Sequence, residues 1–354
     1  MSAILVVVDE RERFETAIAS NPDDDAAYLV YSDWLQQRGD PRGELIMLQH
    51  RGHQAAANDL LSRHSNYFYG TLSSRPSLLD ATWHLGFLRA CRFALDGDRG
   101  PGHEQRALAA LETLLVLPSA RFLRDLSIGI MNVPYNNYDG AIEVLARHDL
   151  GSLERLALGD GIEHSTATAT DAFTTEIGRT RPLYAAAPNL TTLILRSTEH
   201  LDLDGIELPR LSELRVSGGG RWLHTLLRVP LPELHTLELT DSFLVEDDAA
   251  WNALLSGASF PKLRHLAIGV QSYWTGRVGS LIANAPVLRQ LHTLDLSETI
   301  LVEADLDAIL AYAGAFSHLE KLDLGSVWSV LNEEDAKALH RLCARVDLRS
   351  PSPG

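Results

Sequence analysis

Ten times between residues 88 and 348 the chain repeats one six-residue pattern, with apolar residues at its first, fourth and sixth positions. Eight copies read Leu-x-x-Leu-x-(Leu/Ile/Val), starting at Leu123, Leu153, Leu190, Leu211, Leu234, Leu263, Leu291 and Leu319. Two degenerate copies, starting at Leu88 and Cys343, flank them. Successive starts are separated by 35, 30, 37, 21, 23, 29, 28, 28 and 24 residues. Repeats of roughly 20 to 29 residues are coils that cannot bury their apolar side alone and must stack. In a strand alternate side chains face opposite sides. The fourth and sixth positions of each hexad therefore point to a common core, and the third, fifth and seventh to an open face.

The segments between hexads carry apolar residues at three- and four-residue spacing over 104–117, 139–147, 246–255, 278–285 and 303–312, which predicts helices. The coils beginning at Leu190 and Leu211 are too short for a full helix, so curvature is expected to change there. The adjoining Gly218, Gly219, Gly220, Arg221 and Trp222 read as a flexible protrusion. Three helices are predicted ahead of the repeats: one over 9–20, one opened by the acidic run Asp23, Asp24 and Asp25 and stopped near Gly39, and one from Pro41.

The repeats over about 86–350 resemble the leucine-rich-repeat superfamily, although the Asn or Cys usual after the hexad is mostly absent. Gly129, Gly159, Thr240, Gly269 and Gly325 are among the residues found there instead. Phe14, Asn21, Pro22 and Asp23–Asp25, then Tyr31, Ser32, Asp33 and Trp34, then Gly39, Asp40, Pro41, Arg42 and Gly43 resemble the repeat-companion domain. That domain is found in planctomycetes and myxobacteria ahead of leucine-rich repeats. The resemblance implies an α/β leucine-rich-repeat solenoid, a horseshoe with a parallel sheet on its concave face and helices and loops on its convex face. A small α-helical amino-terminal module is expected over 1–85, with its companion-type part at 10–50, ahead of a solenoid of about ten coils over 86–350. It implies protein binding, and no activity for the companion module.

Charge narrows the partners. The chain holds 31 Lys and Arg against 47 Asp and Glu, a net charge of −16 without a basic block, which is unfavourable for nucleic acid and anionic membrane. The apolar start, Ala3 to Val8, spans six residues and lacks the marks of a secretory signal. Two cysteines in 354 residues point to a reducing, cytoplasmic setting. No phosphate loop, nucleophile elbow or zinc-hydrolase motif occurs. His50 and His53 have a metal-compatible spacing without further ligands nearby in sequence, and read as a surface helix end.

The expected function is a non-enzymatic adaptor of bacterial type, with no cofactor and no metal. It binds a protein partner with a basic surface through the concave face and adjoining loops. The residues expected to make contact are Arg215, Glu238, Asp241, His265, Tyr273, Trp274, Asp295, Glu298, Lys321 and Asp323. Tyr135, Tyr138, Trp222, Phe243 and Trp328 are further loop aromatics. The alternatives are a structural subunit of a larger assembly, or a regulatory partner of a separately encoded kinase or protease.

Overall fold

The computed structural model describes residues 10–95, 102–132, 135–159, 174–219, 222–240, 248–269, 278–326 and 333–349. Five helices come first: α1 (Glu10–Ser20), α2 (Asp25–Gln36), α3 (Pro41–His50), α4 (Gln54–Arg63) and α5 (Ser65–Tyr69). Local chemistry sets their ends. Asp24 caps α2 by accepting from the Ala26 N–H at 3.0 Å, and Asp40 caps α3 by accepting from the Arg42 N–H at 2.9 Å. Gly39, at φ +69°, turns the chain between α2 and α3 in the left-handed region that glycine tolerates.

Two antiparallel strands follow, β1 (Leu79–His84) and β2 (Phe87–Phe93). The next strands of the main sheet begin with β3 (Asp125–Ile128), and a short β4 (Tyr135–Asn137) lies outside it. Then come β5 (Arg155–Leu158), β6 (Thr174–Glu176), which pairs with β4, and β7 (Gly178–Arg179). The series ends with β8 (Thr192–Asp202), β9 (Glu213–Gly219), β10 (Thr236–Thr240), β11 (His265–Gly269), β12 (Thr293–Asp295), β13 (Lys321–Ser326) and β14 (Val346–Arg349).

From β2 onward every neighbouring pair in the main sheet is parallel, and strand order follows chain order. Equivalent hexad positions stand side by side: Leu126, Leu156, Leu193, Leu214, Leu237, Leu266, Leu294 and Leu322 form one continuous row. Each is at most 2% exposed. Burying one such side chain stabilises by about 1.5–3 kcal/mol, and the row is cooperative because each leucine is covered by its neighbours.

Between strands the chain returns through α6 (His103–Val116), α7 (Asp139–Ala146), α8 (Arg181–Ala186), α9 (Trp222–Leu226), α10 (Asp248–Leu255), α11 (Val278–Ala283), α12 (Glu303–Ala311) and α13 (Glu333–Leu339). Leu111, Leu145, Leu183, Leu226, Leu254 and Ile309 from six of these helices share one core with the leucine row. Helices therefore cover one face of the sheet and leave the other open. No helix runs from β8 to β9, as the short spacing requires.

The turns after the strands are filled without the expected Asn. Tyr138 Oη donates to the Gly129 carbonyl at 2.5 Å, and Thr299 Oγ1 donates to the Ile268 carbonyl at 2.7 Å. Trp222 Nε1 donates to the Gly218 carbonyl at 3.0 Å. Buried carbonyls need such partners, and here hydroxyl and indole groups from the return segments supply them. Trp222 is 2% exposed and joins the core, so the end of the Gly218–Trp222 run packs inward where a protrusion was expected; Gly220 and Arg221 lie outside the described residues. Tyr138 is likewise buried, whereas Tyr135 is 71% exposed.

The acidic run at the start of α2 divides its work. Asp24 caps the helix, while Asp23 reaches Arg89 of β2 at 2.7 Å and Arg124, just ahead of β3, at 2.9 Å. Asp23 is held below the usual carboxylate range by Arg89 first and then by Arg124. The first helices are thereby clamped to the sheet. Tyr28 and Tyr31 of α2 share a second core with Phe87 and Phe122, which seals this junction.

Candidate docking face on the sheet

The open face is built by the third and fifth hexad positions. In register, the third positions run Ala90, Asp125, Arg155, Thr192, Glu213, Thr236, His265, Thr293 and Lys321. Most of these side chains are half-buried, because neighbouring rungs lie roughly 4.8 Å apart. That spacing brings charges into contact across strands.

Three charge groups result. Arg155 sits 2.8 Å from Asp125 and also donates to Ser127 at 3.1 Å. Arg215 bridges Glu213 at 2.6 Å and Glu238 at 3.3 Å. Lys321 lies between Asp323 at 3.0 Å and Asp347 at 3.1 Å, and Arg345 holds Asp347 at 3.0 Å from the other side. The last group has an electrostatic cause: Asp295, Asp323 and Asp347 occupy consecutive rungs of one row. Like charges at that spacing repel, and the two cations offset the cost at Asp323 and Asp347. Lys321 is held above its ordinary pKa by its bond to Asp323 and then by that to Asp347. Asp347 is held below its own by Arg345 and then by Lys321.

The sequence-selected residues fall into distinct environments. Arg215 and Glu238 are tied to each other. Asp323 is 5% exposed and accepts the Gly325 N–H at 3.1 Å, so it is a structural carboxylate at the foot of the face. His265 is exposed, bonds Thr293 Oγ1 at 2.8 Å and lies 6.2 Å, ring to ring, from His292. Asp295 is half-buried and accepts the Ser297 N–H at 2.8 Å. Glu298 is exposed, with its Cβ above Gly269. Asp241, Tyr273 and Trp274, with Phe243 and Trp328, lie outside the described residues. Residues that column reading passed over are Asp347 and Arg345; the degenerate last hexad, with Asp347 at its fifth position, is the signal that marks them.

Away from this face, a groove of about 860 Å³ runs between α1 and the turns that enter the strands. Most of its charged groups are already engaged: Glu15 lies 3.4 Å from Arg11 and 2.5 Å from Arg121, Arg124 pairs with Glu154, Asp149 accepts the Gly151 N–H and Arg210 donates to Asn189. His50 lies 3.7 Å from Asp25. Among the described residues no group of three His, Cys, Asp or Glu is arranged to hold a metal ion. No helix among them is long and apolar enough to cross a membrane.

No family model matches the chain, and no curated protein does. Among solved structures, a protein from Bacteroides fragilis is similar over 71% of this chain and 72% of its own, with 20% identity and a TM-score of 0.58. An internalin from Listeria monocytogenes matches over 69% of this chain and 70% of its own, with 14% identity and a TM-score of 0.33. What the chain shares with the Bacteroides fragilis protein is its mixed α/β fold.

Proposed function

We propose that the chain is a non-enzymatic, protein-binding scaffold: a leucine-rich-repeat solenoid whose open sheet face is concave and docks a partner with a basic surface. The helical segment at its amino terminus is the companion-type module of the solenoid, and the protein works in the cytoplasm. One observation carries the reading. In the row Asp295, Asp323 and Asp347, cations among the described residues serve the last two, and from those residues Asp295 accepts a backbone N–H alone. With exposed Glu298 three residues away, it leaves two carboxylates on the face for an incoming Arg or Lys. Charge complementarity of this kind sets orientation and association rate. The two free cysteines support a reducing setting.

The test reverses those two charges and spares the structural Asp323. Partners retained by the wild-type protein from lysate are identified, then measured against Asp295→Arg with Glu298→Arg. Capture of a basic partner that weakens with salt and is lost in the double variant supports the reading. Equal capture by both proteins removes the face as the site.

A further inference from the structure

β1 ends the strand order of the sheet, and its outer edge opens on a groove of about 410 Å³ walled by α4 and α5. The Ala94 N–H donates to the Leu78 carbonyl at 3.1 Å, which makes 78 and 94 a hydrogen-bonded rung of the β1–β2 ladder. Such rungs alternate in an antiparallel pair. Asp80 with Arg92 and Thr82 with Ala90 are therefore the next bonded rungs, and the backbone groups of Leu79 and Ala81 point away from β2. The Leu79 N–H is used by the Pro76 carbonyl. The Leu79 C=O and both backbone groups of Ala81 are left facing outward.

The same two residues line the groove, with Leu61, Tyr69 and Leu72 as its floor. Its rim is asparagine and serine, Ser62 among them, and none of the described residues lining it is charged, although the chain carries −16. A row of outward backbone groups beside an uncharged apolar trough selects one kind of occupant: an extended backbone whose alternate side chains are aliphatic. The bulge between Thr82 and Trp83 interrupts the edge, so only a short segment fits.

We propose that this groove binds an extended, uncharged segment of a partner protein, added to the sheet as a strand beside β1. The site is separate from the charged sheet face and does not depend on it.

The probe is the uncharged peptide Ser-Thr-Val-Thr-Val-Thr-Ser-amide, with a neutral fluorophore on its amino terminus, followed by fluorescence anisotropy and by hydrogen exchange at Ala81. Binding is expected to slow exchange of the Ala81 amide. N-methylation of alternate peptide amides, or Glu in place of each Val, is expected to weaken binding at least tenfold. Ala81→Pro removes an outward donor and no ladder bond, so it is expected to cause the same loss with an unchanged circular dichroism spectrum. Ser62→Glu places a charge on the exposed rim and gives a second reading should the proline disturb β1. Absence of binding, or equal binding by the N-methylated peptide and by Ser62→Glu, overturns the proposal. So does an Ala81 amide already protected in the isolated chain and released by deleting residues 2–8, because the chain's own apolar run would then be the occupant.

Discussion

Arg42 Nη2 donates to the Ser119 hydroxyl across 3.1 Å, joining α3 to the turn that follows α6, 77 residues further on. Its Nη1 donates to the Gly86 carbonyl in the β1–β2 turn, and the guanidinium lies 4.6 Å from the Phe87 ring centre. The side chain is 1% exposed. A buried guanidinium survives here because its planar fork reaches two acceptors at once and stacks on an aromatic face. Arg42→Met leaves both acceptors without a donor and is expected to cost about 2–4 kcal/mol. Arg42→Lys is expected to be no better, since an ammonium reaches fewer acceptors and is more strongly hydrated. Chemical denaturation checks both variants, and full stability in Arg42→Lys would refute the fork argument.

His84 of β1 packs edge-on to Tyr28 at 5.4 Å, with Asp25 3.8 Å from its Nε2. Burial, followed by the charge of Arg89, holds its pKa below the ordinary 6.5. In the unfolded chain the ring takes its proton near the ordinary value, and in the folded chain only at lower pH. The unfolded state therefore binds more protons between those two values, and stability falls as pH drops below about 6.5. The melting temperature should decline on going from pH 7 to pH 5, and part of that decline should vanish in His84→Gln. Identical pH slopes in the two proteins would exclude His84 as a source.

Gly325, the next-to-last residue of β13, has φ +60°, and a Cβ there would stand 2.4 Å from the Ser297 carbonyl oxygen of the preceding coil. Both the backbone conformation and the close approach exclude a side chain. Gly325→Ala is expected to cost roughly 1–3 kcal/mol. Gly314, where an added Cβ meets nothing within 4 Å, supplies the control. Gly314→Ala should melt within a degree or two of wild type.

Cys91 occupies an inward position of β2, and burial pushes its thiol up to about 12. Since the thiolate is the reactive form, Cys91 should resist alkylation in the native protein. Cys343 is half-buried. Mass spectrometry after brief iodoacetamide treatment at pH 8 is expected to find label at Cys343 and little at Cys91, with both labelled in denaturant.

The hexads by themselves determined the strands, their spacing and which side chains point inward, because a period of two and a stacking period act over distances the sequence displays directly. Helices such as α6 and α12 were legible for the same reason. The strand β1 was not, since Leu79 to His84 carries no hexad and becomes a strand only against the edge of β2. The docking face was legible as two columns of residues. Only the assembled sheet decided that Asp323 is a buried structural carboxylate while Asp295 meets no cation among the described residues, because neutralisation depends on which rung stands alongside. Likewise, Asp23, Asp24 and Asp25 look alike in sequence; local capping takes Asp24 for its helix, and only tertiary packing gave Asp23 to two arginines on the sheet.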